Sequence, residues 1–116
     1  MKKPVQQWLT NRASPPGMLA CGLRRPNGEL ICHSREDTCP TEKMEAILRQ
    51  FESLRTTLGS DLLAPRWWTW TFEQGQIRFV ARPDGWLLGL VVRFDSEAMP
   101  QLDSLSNEFL SLELGD

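Results

Sequence analysis

Two four-residue segments, Arg25-Pro26-Asn27-Gly28 and Arg82-Pro83-Asp84-Gly85, place the same turn chemistry at two points of the chain. Proline presets φ for the first central position of a type I turn. Asn or Asp tolerates the second, and glycine takes the left-handed position that follows. Apolar runs flank each turn, 18–23 and 30–32 around the first, 77–81 and 86–94 around the second. Each segment therefore predicts a β-hairpin.

Helical periodicity fills the rest. Val5, Trp8 and Leu9 recur at helical spacing within 4–12, and the breaker cluster Ser14-Pro15-Pro16-Gly17 ends that segment. Cys39-Pro40-Thr41-Glu42 reads as a helix start, with proline in the first turn and Glu42 near the positive end of the dipole. Met44, Ile47, Leu48, Phe51, Leu54 and Leu58 then share one face of a long amphipathic helix over 40–58, followed by a loop over 59–65. The period changes to an extended one over 66–72, Glu73-Gln74-Gly75 turns the chain, and strands follow at 77–81 and 86–94. The last of these is apolar on both faces from Leu87 to Val92, as a central strand between helical layers should be. Its neighbours should be the first and fourth strands, and Phe79 should lie opposite Gly89 and cover it. A closing helix is predicted over 96–114, carrying Met99, Leu102, Leu105, Phe109 and Leu112, with Pro100 in its first turn.

At 116 residues and 41% apolar composition the chain is expected to be one domain, 1–116, able to bury a core unaided. Acids and bases are mixed to a net charge of −2, without the concentrated basic stripe of a nucleic-acid binder. The N-terminus has no apolar signal-peptide core, and no run approaches the roughly 18 apolar residues of a membrane span. Cys21, Cys32 and Cys39 are an odd number and are expected to be reduced. A cytoplasmic protein without membrane insertion is the expectation.

Little in the sequence points to catalysis. Cys21, Cys32, His33 and Cys39 lack the close C-x₂-C pairs of a structural zinc site, and adjacent Cys32 and His33 point to opposite faces of a strand. Cys21 and His33 could be cross-strand neighbours, but no third orienting group or oxyanion pocket is evident. No G-x-S-x-G elbow and no phosphate-binding glycine loop occurs. The chain is expected to be no enzyme and to need no cofactor or metal.

The remaining anomaly is a strand that contains three of the five tryptophans of a chain with no tyrosine. Alternation puts Trp68, Trp70 and Phe72 on one face and Trp67, Thr69 and Thr71 on the other. Trp68 and Trp70 either fill the core under the long helix or meet a partner, whereas Trp67 stands beside polar threonines as an interface candidate. An apolar edge of this kind invites aggregation unless something covers it.

The element order α-β-β-α-β-β-β-α, with the hairpin from Gly17 to Leu23 and from Asn27 to Ser34, resembles the roadblock/dynein-light-chain family, related in fold to longin and profilin-like domains. The resemblance implies an α+β fold with a five-stranded antiparallel sheet in the order 2-1-5-4-3, the long helix on one face and the terminal helices on the other. It further implies a non-enzymatic regulatory or scaffold subunit. Such a subunit homodimerises through the edge strand 66–72 and helix 40–58 and binds a small Ras-like GTPase. Trp67, Trp68, Thr69, Trp70, Thr71, Ile47 and Phe51 are then the expected interface residues. The competing expectation is a secretion-chaperone-like protein that binds an effector segment, since such chaperones are also small, acidic and α/β.

Overall fold

The computed structural model describes residues 3–58 and 67–114. Along them run α1 (Lys3–Gln7), a π-helical turn (Trp8–Arg12), β1 (Met18–Arg24), β2 (Leu30–Ser34) and α2 (Thr41–Leu58). Then come β3 (Trp67–Phe72), β4 (Gly75–Ala81), β5 (Leu87–Arg93), a 3₁₀ turn (Met99–Gln101) and α3 (Leu102–Ser111). The strands form one antiparallel sheet in the order β2-β1-β5-β4-β3, so the fold is α+β with the topology that the family resemblance implies. The central strand is β5, buried at every position but Arg93 and flanked by β1 and β4.

Both Pro-Asn/Asp-Gly segments are the turns their chemistry predicts. Gly28 and Gly85 take φ of 96° and 99°, and their amides donate to the carbonyls of Arg25 and Arg82 at 2.9 and 3.1 Å. Asn27 Oδ1 accepts the amide of Glu29 at 2.9 Å, which fixes the first turn from inside.

Phe79 pairs with Gly89 across β4 and β5, as expected. The space above the glycine, however, belongs mainly to α2. A Cβ there would lie 2.7 Å from Met44 Cε and 3.0 Å from Leu48 Cδ2, with Phe79 Cδ1 at 3.7 Å. Gly22, paired with Gly89 across β1 and β5, faces the same Leu48 and Met44 side chains. The two glycines make a shallow seat, and α2 settles into it. Met44, Leu48 and Phe51 of the helix pack there with Ala20, Cys39, Phe79, Leu87 and Val91. The opposite face of the sheet packs on the terminal helices through Trp8, Leu9, Leu23, Trp86, Leu88, Leu90, Leu105 and Phe109.

Departures from the sequence expectation occur at element ends. The first helix changes from α to π geometry at Trp8, and the Ala13 amide closes the π turn on the Trp8 carbonyl at 3.1 Å. The closing helix starts only at Leu102, because Pro100 sits in a separate 3₁₀ turn. It stops at Ser111, where Leu112 turns extended and the Arg82 guanidinium takes the carbonyls of Phe109 and Leu112, both at 2.8 Å. Gly75 belongs to β4 and not to the turn before it. The loop expected over 59–65, and Arg66 at the expected strand start, lie outside the described residues.

Candidate partner interface

β3 closes one end of the sheet and, among the described residues, has β4 as its single neighbour. Phe72 and Gly75 flank a two-residue turn, so they form the pair that exchanges both ladder hydrogen bonds. Alternation then turns the amides of Thr69 and Thr71 toward the open edge.

On the α2 side of β3, Trp68 and Trp70 are half-buried. The Phe51 ring meets Trp68 edge-on at 5.0 Å and Trp70 at 5.8 Å, and stacks on Phe79 at 3.9 Å between centroids. Both indoles thus share an aromatic cluster with the core while their outer parts remain accessible. Phe72, next on the same face, is 39% exposed.

On the other side, Trp67 is half-buried and committed to internal contacts. The Arg78 guanidinium lies 5.0 Å from its ring centroid, and the ring packs against the core under α3. Arg78 Nε donates to Thr69 Oγ1 at 2.9 Å, and its Nη1 donates to Asp103 Oδ1 at 3.0 Å and Ser106 Oγ at 3.2 Å. One buried cation therefore ties β3 to α3. Thr71 is exposed.

At about 100° per residue, Lys43, Ile47, Gln50 and Leu54 share the flank of α2 nearest β3. Leu54 is 37% exposed. Glu45, Arg49 and Glu52 occupy the opposite flank, where Glu52 reaches Arg24 of β1 at 3.9 Å. Between the N-terminal half of α2 and the β3–β4 turn lies a groove of about 600 Å³, whose lining includes Lys43, Ile47, Trp70, Phe72, Ile77 and Val91. Ile47, Trp68 and Trp70 therefore come together on one surface, Thr69 and Thr71 contribute the strand edge, and Trp67 stands on the far face; Phe51, expected at the interface, is instead a core residue, 1% exposed beneath the two indoles. Leu54, which the sequence reading put on the apolar face of the helix, and Phe72, on the strand face it left open between core and partner, are also parts of this surface. Their signal was the residue spacing itself, since Met44, Leu48 and Phe51 centre the buried stripe and leave Leu54 on its margin.

The thiols are placed otherwise. Cys21 pairs with His33 across β1 and β2, but burial pushes its thiol up to about 11 against a smaller opposing effect of the Ser14 hydroxyl. Cys32, also desolvated and near Glu45, is pushed up to about 12. Neither carries a useful thiolate at neutral pH. Cys21 lies in the core under the terminal helices and Cys32 and Cys39 on the α2 side, and no group of three His, Cys, Asp or Glu among the described residues could hold a metal ion. No helix among the described residues is long and apolar enough to cross a membrane.

No family model matches the chain, and no curated protein matches it in sequence. Among solved structures, Myxococcus xanthus MglB superposes with a TM-score of 0.63 over 95% of this chain and 95% of its own, at 10% identity. With that near-complete mutual coverage and the sheet order β2-β1-β5-β4-β3, the chain has the roadblock/longin fold.

Proposed function

We propose that this chain is a non-enzymatic regulatory or scaffold subunit that pairs with a second copy through β3 and α2 and acts on a small Ras-like GTPase. The observation that carries the proposal is the apolar edge itself. β3 offers outward amides at Thr69 and Thr71 beside a surface built from Trp70, Phe72, Ile47 and Leu54. Strand addition supplies main-chain hydrogen bonds, and the adjoining apolar surface supplies burial. The GTPase half of the reading draws support from the resemblance to the roadblock/dynein-light-chain family, whose fold this chain shares with MglB. Three free cysteines suit a reducing compartment such as the cytoplasm.

Sedimentation of the purified protein at micromolar concentration, together with affinity capture from the source cells in GTP and in GDP, tests both halves. A dimer that retains a small GTPase in a nucleotide-dependent manner is expected. Thr71→Pro should yield a folded monomer, because it removes an outward amide without touching the β4 ladder or the Arg78 contacts. A wild-type monomer overturns the pairing. Capture of an unfolded effector segment with no GTPase overturns the regulatory role in favour of the chaperone one.

A further inference from the structure

The two Pro-Asn/Asp-Gly turns share a backbone shape and differ in their surroundings. We propose that Asn27-Gly28 is a site of spontaneous modification, at which the folded chain loses the Asn27 amide, while Asp84-Gly85 is protected by what packs around it. Neither the β3 edge nor a partner is involved.

The chemistry is the attack of a backbone nitrogen on the preceding side chain. The Gly28 nitrogen gives its proton to solvent hydroxide and bonds to Cγ of Asn27. The Cγ–Nδ2 bond breaks, ammonia leaves with a proton taken from water, and a five-membered cyclic imide remains. Water then opens the imide at one of its two carbonyls. One opening yields aspartate at position 27, and the other carries the main chain through Cβ as isoaspartate. The balance is an amide and a water consumed, a carboxylate and an ammonium released.

The first turn leaves this route open. Asn27 and Gly28 are exposed, and a Cβ at Gly28 would meet nothing within 4 Å, so no side chain shields the attacking nitrogen. The Glu29 amide donates to Asn27 Oδ1 at 2.9 Å. That bond folds the side chain back over the Gly28 peptide and stabilises the charge that develops on Oδ1 during attack. The opposing contact is the Gly28 amide's bond to the Arg25 carbonyl at 2.9 Å, which must open first. One exposed hydrogen bond is weak in net terms, so the delay relative to an unfolded chain should be roughly tenfold or less.

The second turn closes the same route. Asp84 is a carboxylate at neutral pH, a poor electrophile, and Arg82 Nε and Nη2 hold its two oxygens at 3.1 and 2.6 Å. A Cβ at Gly85 would lie 3.1 Å from Pro26 Cβ, so the first turn covers the second. Asn11 and Asn107 stand within helical turns and precede Arg12 and Glu108, whose side chains crowd the next nitrogen.

Ageing the folded protein at physiological temperature and mildly alkaline pH, in heavy-oxygen water, tests the proposal against a portion kept in guanidinium chloride. Ion exchange should resolve a growing form with one negative charge more than the formal −2. Peptide mass spectrometry should place the loss of the amide, and the uptake of heavy oxygen, at Asn27. Two product peptides are expected, one co-eluting with that of freshly prepared Asn27→Asp. Asn27→Gln, which would have to close a larger ring, should age unchanged. The isoaspartate form should also melt below the aspartate form, because an added backbone atom breaks the closure of Arg25 on Glu29.

Conversion of Asn11 or Asn107, or isomerisation of Asp84, at the pace of Asn27 overturns the contrast between the sites. Folded protein that converts roughly a hundredfold more slowly than the denatured portion shows that the turn protects Asn27, and overturns the proposal.

Discussion

Arg78 shows how a single residue can decide which face of a strand is free. Its guanidinium is buried and reaches Trp67, Thr69, Asp103 and Ser106, so the far side of β3 is occupied from within the chain. The Trp67–Thr69–Thr71 face was legible in the sequence as an alternation. Its occupant was not, because Arg78 comes beneath Thr69 only through the β3–β4 register. Replacing Arg78 with Met should cost about 1–3 kcal/mol, the usual range when charged hydrogen bonds to partly buried partners are lost. Asp103 is well exposed and can return to water, which keeps the figure below that of a fully buried pair. Urea unfolding monitored by tryptophan fluorescence measures it. The Trp67 emission should also shift to the red, since the guanidinium no longer shields its ring.

At the scale of elements, most of the architecture could be read from local chemistry. The two Pro-Asn/Asp-Gly turns, the stripe of α2 and the doubly apolar β5 each had one reading, and together they fixed neighbours in the sheet. Element ends resisted, because they depend on distant groups. The close of α3 is set by Arg82 of the β4–β5 turn, and Gly75 belongs to a strand for a reason found on β5. A Cβ at Gly75 would collide with the carbonyl oxygen of Val92, a backbone atom that cannot rotate aside. Gly75→Ala should therefore displace the β3–β4 turn and cost about 1–3 kcal/mol or more, as overpacking does. Gly28→Ala has open space around it and meets only the positive φ, so about 1 kcal/mol is expected. Thermal unfolding of the pair separates close approach from backbone strain, and equal losses would mean that the sheet yields at Gly75.

For the whole molecule, the sheet carries two unlike layers. α2 is seated by apolar contact on Gly22 and Gly89, whereas the terminal layer is also held by the Glu108 carboxylate and by Arg82, which Asp84 orients within the β4–β5 turn. Glu108 of α3 accepts Trp8 Nε1 at 2.7 Å and Arg12 Nη2 at 2.6 Å, and the Arg12 bond, against some desolvation, holds its carboxyl below the ordinary 4.5. Burial opposes the charge of Asp84, but hydrogen bonds from Arg82 and the Trp86 amide prevail and leave it below 3.8. Both groups are ionised at neutral pH whether the chain is folded or not, so their stabilisation is complete there. As the pH falls through these ordinary values the unfolded chain takes up protons first. Stability is then lost progressively until the folded carboxyls protonate as well. Acid should thus loosen the terminal layer while the apolar seat of α2 is unaffected. Because Arg12 and Glu108 are partly exposed, their pair contributes about 0–1 kcal/mol, which corresponds to a melting shift of at most a few degrees. Glu108→Gln should melt below wild type at pH 7, and the two melting curves should converge near pH 3. A gap that persists unchanged at pH 3 would mean that packing of the Glu108 side chain, not its charge, holds the π-helical turn to α3.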